Sequence, residues 1–102
     1  MKGRRIDESP TFDFHRDLEP GDYGLSEHGM WWLVAPNGDQ GIIDPKWHTV
    51  TEHEDGAITV TPSLNYLRGW RPGPDSPPVN FTPGHGALRW HGWLERGVWR
   101  SA

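Results

Sequence analysis

Histidine is the residue type best suited to chemistry in this chain, and it occurs at His15, His28, His48, His53, His85 and His91. Imidazole nitrogens, joined by Glu52 or Asp55, have the donor chemistry of a zinc site. His48 and His91 could meet on adjacent strands, with His85 close to His91 in sequence, whereas His48 and His53 have opposite parity and leave opposite faces of one regular strand. The tight spacings that mark zinc motifs are absent. His48, His91 and His85 are therefore weak metal candidates, zinc is the cofactor to consider, and nothing in the sequence demands one.

Nucleophilic chemistry has less to work with. The absence of cysteine excludes disulfides, thiolate metal sites and a thiol nucleophile. Ser63, with His91 and Asp55, is the set from which a triad could be drawn, but no nucleophile-elbow motif surrounds it. Glu8, Asp13, Asp17, Glu52, Glu54, Asp55 and Glu95 could supply a carboxylate pair, which needs a defined separation. Their plain reading is solvated charge, and no catalytic residue is assigned.

The 7 Trp residues divide by expected face. Trp32 and Trp90 alternate with apolar neighbours and belong to the core. If Glu95-Arg96-Gly97 is the loop of a C-terminal hairpin, Leu94 pairs with Val98 and Trp93 with Trp99. Trp90, Leu94 and Val98 then face one way, and His91, Trp93 and Trp99 the other. That second face is either cross-strand packing or a display of aromatics, the residue class enriched in binding hot spots. The candidate binding residues are Trp93, Trp99 and His91, with Trp70 and Arg71 from the preceding loop.

The elements that must position these residues are hairpins. Residues 30–35 and 40–43 flank Asn37-Gly38, a strong signal for a type I′ turn that would set Leu33 opposite Ile42 and Trp32 opposite Ile43. Both faces of that pair are apolar, which marks it as central. Residues 47–53 and 57–61 flank Glu54-Asp55-Gly56. A loop of those three residues pairs Val50 with Val60, and a two-residue Asp55-Gly56 turn would exchange every side chain between core and solvent. The three-residue loop is preferred. Pro62 marks the start of a further strand or edge segment reaching Trp70, and 71–86 is a Pro-rich loop. Residues 1–29, broken by Pro10, Pro20, Gly21 and Gly24, read as an acidic extended arm, in which Phe12 and Phe14 alternate with Asp13 and could either make one short strand or anchor the arm against the main body.

A formal charge of −4 argues against general nucleic-acid binding, although Arg68, Arg71, Arg89, Arg96 and Arg100 could form a local basic patch. No signal-peptide core or membrane-length apolar window is present, so a cytoplasmic location, in a host cell or a virion, is the expectation.

Thr59-Val60-Thr61-Pro62-Ser63-Leu64, followed by Trp90-His91-Gly92-Trp93-Leu94-Glu95-Arg96-Gly97-Val98-Trp99, resembles a family of small uncharacterised phage and bacterial domains, over roughly residues 30–100. Members are sometimes labelled "ammonia monooxygenase". The resemblance implies a compact β domain, phage or prophage encoded, with no established activity. In the family pattern a cysteine pair follows the first aromatic strand and another cysteine precedes the histidine, an arrangement that looks like a zinc site. Here those stretches read Ala35-Pro36-Asn37-Gly38 and Trp90-His91, so His91, with His48 beside it, is what matches. No copper or iron ligand set accompanies the monooxygenase label.

The expected fold is all-β or mostly β: one small domain of successive antiparallel hairpins, as a meander or small sandwich, with the arm at 1–29 and the β domain at 30–102. The expected function is a non-catalytic interaction module, a phage accessory or virion-associated protein that binds a host or virion protein through the Trp-bearing hairpin and the Pro-rich loop. A histidine-based zinc domain, structural or hydrolytic, and small-ligand or carbohydrate binding on the aromatic face are the alternatives.

Overall fold

The computed structural model describes residues 1–67 and 88–102. Trp70, Arg71, His85 and the Pro-rich loop 71–86 lie outside the described residues, as do Arg68 and the Arg89 side chain. Among the described residues eight strands form two four-stranded sheets. The first contains β1 (Arg4–Arg5), β2 (Asp22–Leu25), β3 (Trp31–Val34) and β4 (Gln40–Ile42), and the second β5 (Thr49–Glu52), β6 (Ile58–Leu67), β7 (Leu88–Glu95) and β8 (Val98–Ser101). Strands neighbour one another in chain order, and every pairing is antiparallel except β1 with β2. The described residues contain no helix long and apolar enough to cross a membrane.

The sheets pack through Tyr23, Leu33, Ala35 and Ile43 from the first unit and Ile58, Val60, Leu64, Tyr66, Leu94 and Trp99 from the second. All-β hairpin architecture is thus what the alternating apolar pattern specifies. The first sheet is covered on its other face as well. Residues 8–20 leave the sheet between β1 and β2 and lay Phe14, fully buried, against Trp32 at 5.5 Å between ring centroids. Trp32 is therefore buried as expected, but under the N-terminal excursion rather than between the sheets.

The segment 1–29, read from sequence as an extended arm, contributes β1 and β2 to this sheet. Its acids do structural work by accepting hydrogen bonds from backbone N–H groups of an irregular path. Asp7 accepts from Leu25, Glu8 from Phe14 and Glu27, Asp13 from His15, Asp17 from Asp13, and Asp22 from Glu19. Buried or half-buried backbone donors need such partners. Gly24 permits the close approach of the chain just after β1, because a Cβ there would stand 1.8 Å from the Ile6 carbonyl oxygen.

Two of the three expected hairpin registers change by one residue. In β3–β4, Trp32 pairs with Ile42 and Leu33 with Gly41, with Pro36-Asn37-Gly38 as the loop and Gly38 at φ +94°. Pro36 fixes the negative φ that opens a three-residue loop, and Asn37 turns its side chain to the Asp39 N–H and carboxylate instead of adopting positive φ. In β7–β8, Glu95 pairs with Val98 and Leu94 with Trp99, so the loop is Arg96-Gly97 alone, both residues at positive φ. Only β5–β6 keeps its preferred register, Val50 opposite Val60 and Gly56 at φ +86°.

The stretch expected to begin a new strand at Pro62 continues β6 through a cis Thr61–Pro62 bond. Val60 pairs with Leu94 and Leu64 with Gly92, so Thr61, Pro62 and Ser63 stand opposite Trp93 in a bulge. Pro62, which has no N–H to offer a ladder, sits where none is required.

Candidate functional site

The corrected registers divide the second sheet cleanly. Inward go Ile58, Val60, Leu64, Tyr66, Leu94 and Trp99, all nearly fully buried. The residues between them along the strands form the outer face: Thr49 and Thr51 on β5, Thr59, Thr61 and Ser63 on β6, His91, Trp93 and Glu95 on β7, and Val98 and Arg100 on β8. Thr49 lies opposite Thr61 and Thr51 opposite Thr59, which gives a block of hydroxyls. Trp93 is the one large aromatic among these residues.

Trp99 does not share that surface. It is 2% exposed, its ring meets Trp90 edge-on at 5.5 Å, and its Nε1–H donates to the Gly21 carbonyl at 2.9 Å. The expected cross-strand pair of Trp93 with Trp99 is replaced by Trp93 with Arg100 and Leu94 with Trp99. A single left-handed residue, Arg96, shortens the loop and turns Trp99 inward.

Trp93 is half-buried, with the Arg100 guanidinium stacked over one face of its ring, the guanidinium carbon 4.5 Å from the ring centroid and the His91 ring centroid 5.8 Å away. Arg100 in turn forms an ion pair with Glu95. Such stacking orients both side chains even where its net energy is modest.

His91 and His48 converge on Ser63 without forming a ligand set. His91 Nε2 lies 2.9 Å from the Ser63 hydroxyl, and His48 Nε2 lies 3.1 Å from the Ser63 carbonyl, to which it donates. His48 is 3% exposed and its Nδ1 has no hydrogen-bond partner. Burial holds its pKa below the ordinary value, the bond to Ser63 acting in the opposite sense. Each Nε2 is committed to Ser63, and no group of three or more His, Cys, Asp or Glu side chains is placed to hold a metal among the described residues. The Ser63–His91 contact realises half of a triad. Asp55 is far along the hairpin, in the β5–β6 turn, where its carboxylate accepts the Ala57 N–H at 3.0 Å.

A groove of about 570 Å³ opens on this face, lined by Thr51, His53, Thr59, Thr61, Trp93 and Arg96 among others. Its organising atom is the Thr59 hydroxyl oxygen, which accepts the Arg96 backbone N–H at 3.0 Å and lies 2.8 Å from His53 Nε2. One hydroxyl thus ties the β7–β8 turn to the end of β5. His53, Thr59 and Arg96 were not grouped from sequence. The usable signal was Arg96-Gly97 as a two-residue turn, which brings the β7–β8 loop beside Thr59.

A second groove, of about 660 Å³, lies between the N-terminal excursion and the first sheet, with Glu8, Asp13, His15, His28, Met30 and Trp32 in its walls. Its Glu8 and Asp13 carboxylates are occupied by backbone N–H groups. Comparisons with protein-family models, with curated proteins and with solved structures find no match for this chain.

Proposed function

We propose that this protein is a non-catalytic binding module that engages a small polar ligand, a carbohydrate by class, on the outer face of its second sheet. The observation that carries the reading is Trp93, an indole held in place by Arg100 beside an open groove whose other walls carry hydroxyls and an imidazole. A sugar presents a flat C–H face to an aromatic ring and hydroxyls to polar groups, which is the division this groove offers. A protein hot spot would favour a desolvated apolar surround, whereas Trp93 is bordered by Thr61, Glu95 and Arg100. Binding without turnover fits the side chains: His91 is committed to Ser63, and Asp55 caps a distant turn. A phage or prophage accessory protein, with host or virion supplying the ligand, is the setting of the proposal.

Intrinsic Trp fluorescence titrated with a panel of neutral and acidic oligosaccharides tests it. A saturable change is expected for at least one class, weakened at least about tenfold by Trp93→Ala, a loss of about 1.4 kcal/mol, with the melting transition retained. Absence of saturable binding across the panel removes the reading.

A further inference from the structure

We infer that the ligand of this groove is an acid: a saccharide bearing a carboxylate, of the uronic-acid kind, with its carboxylate on Arg96 and its ring on Trp93. The inference rests on the saccharide reading above and adds the ligand's charge. Arg96 carries the first part of the argument. Among the described arginines, Arg4 pairs with Asp22, Arg5 with Asp7 and Glu52, Arg16 with Asp17 and Arg100 with Glu95, and Arg96 alone has no carboxylate partner. In a chain of formal charge −4, acids are not in short supply. Arg96 is one of the residues that line the groove.

Its backbone supplies the second part. Arg96 holds φ 45°, at the first position of a two-residue turn where Asn, Asp or Gly ordinarily stands. Non-glycine residues held in the left-handed region cluster at ligand sites. The Arg96 N–H is anchored on Thr59, so the turn that carries the guanidinium is fixed to the groove floor.

The groove's walls also carry hydroxyls. Thr59 accepts the Arg96 N–H and is in hydrogen-bond contact with His53 Nε2, which ties this corner together. A guanidinium fork beside the Thr51 and Thr61 hydroxyls suits the oxygens of an anion. Glu95, on the same wall, is already matched by Arg100. Arg96 brings one unmatched positive charge, which a carboxylate monoanion balances one for one.

The test uses the full chain and trisaccharides of uronic acids in the gluco, galacto and manno configurations, each beside its methyl ester, with inorganic phosphate as competitor. At least one acid is expected to bind ten times more tightly than its ester. Arg96→Gly, which suits positive φ and so keeps the turn, should reduce that ratio to near one. Trp93→Ala should weaken acid and ester alike. Equal affinity for acids and esters, or an acid preference untouched by Arg96→Gly, overturns the inference and leaves the saccharide reading standing. Displacement of the acid by millimolar phosphate through Arg96 overturns the choice of carboxylate. Binding of neither acids nor esters overturns both readings.

Discussion

The two sheets of this protein differ in what covers them. The first is enclosed, with the second sheet on one face and the excursion of residues 8–20, pinned by Phe14, on the other. Among the described residues the second is covered on one face only, and its other face carries hydroxyls, imidazoles, charges and Trp93. A sheet with two packed faces has little surface left for recognition, and a sheet with one packed face can carry recognition residues on a rigid base. Acids work in both units. Around the first sheet they accept backbone N–H groups, with Asp7, Asp17 and Asp22 also paired to arginines, and on the groove wall of the second Glu95 is matched by Arg100.

The largest effect that could break this contrast is at Trp99. Trp99→Ala should cost about 3–5 kcal/mol, from lost ring burial and an unfilled cavity, with the bond to Gly21 lost in addition. Chemical denaturation of the purified variant measures it. A loss below about 1 kcal/mol would put Trp99 back on the surface.

Phe14→Ala examines the enclosure of the first sheet. Removal of a fully buried ring costs about 3–5 kcal/mol where the site cannot collapse. A loop layer can close in more readily than a sheet, so the lower end is expected. If stability were unchanged, the excursion would not be a packed layer and the first sheet would have an open face too.

How much of this was legible in the residues depended on turn chemistry. Gly56 after Glu54-Asp55 gave the correct three-residue loop and the correct pairing of Val50 with Val60. Asn37-Gly38 suggested a two-residue turn, but Pro36 is conformationally ready for the first loop position and takes it. Arg96-Gly97 concealed its turn because arginine does not advertise positive φ, and the resulting single-residue error sent Trp99 to the wrong face. β2 was hidden by Gly21 and Gly24, which break the apolar period, although Gly24 is what leaves room for the Ile6 carbonyl beside it. The groove was legible only in pieces. Thr51, Thr59 and Thr61 showed as alternation, but their meeting with His53 and Arg96 needs the right register in two hairpins at once.

Acid should distinguish the sheets next. The Asp7 carboxylate is held below its ordinary pKa by its hydrogen bond to Arg5, and also accepts the Leu25 N–H. A carboxyl depressed in the folded state stabilises above its unfolded pKa of about 3.9, and that contribution is lost as pH falls through the lower folded value. Between neutral pH and about pH 6.5 to 5 a different group acts. His48 is buried and its pKa is lowered by that burial, so below the unfolded histidine value of about 6.5 the unfolded chain takes up a proton that the folded chain refuses. Stability should therefore fall first below pH 6.5, through His48 at the edge of the second sheet, and again below pH 4, through the first. His48→Gln should flatten the upper step, and Asp7→Asn should reduce the lower one, in melting temperatures recorded across pH.

The smallest expected change in stability is at Trp93, and for that reason it sharpens the comparison most. Its ring is half-buried against Arg100 and His91 and lies outside the packed core, so Trp93→Ala removes a partly buried contact and should cost roughly 1 kcal/mol. Trp99, one position away across the same hairpin, sits on the packed side of the strand pair. Two tryptophans so close in the chain should then separate by several kcal/mol in denaturation and in the reverse order in ligand titration. If Trp93→Ala proved as destabilising as Trp99→Ala, the outer face would be a second packed surface, and the groove beside it would have to be reassigned as part of an interface with whatever covers it.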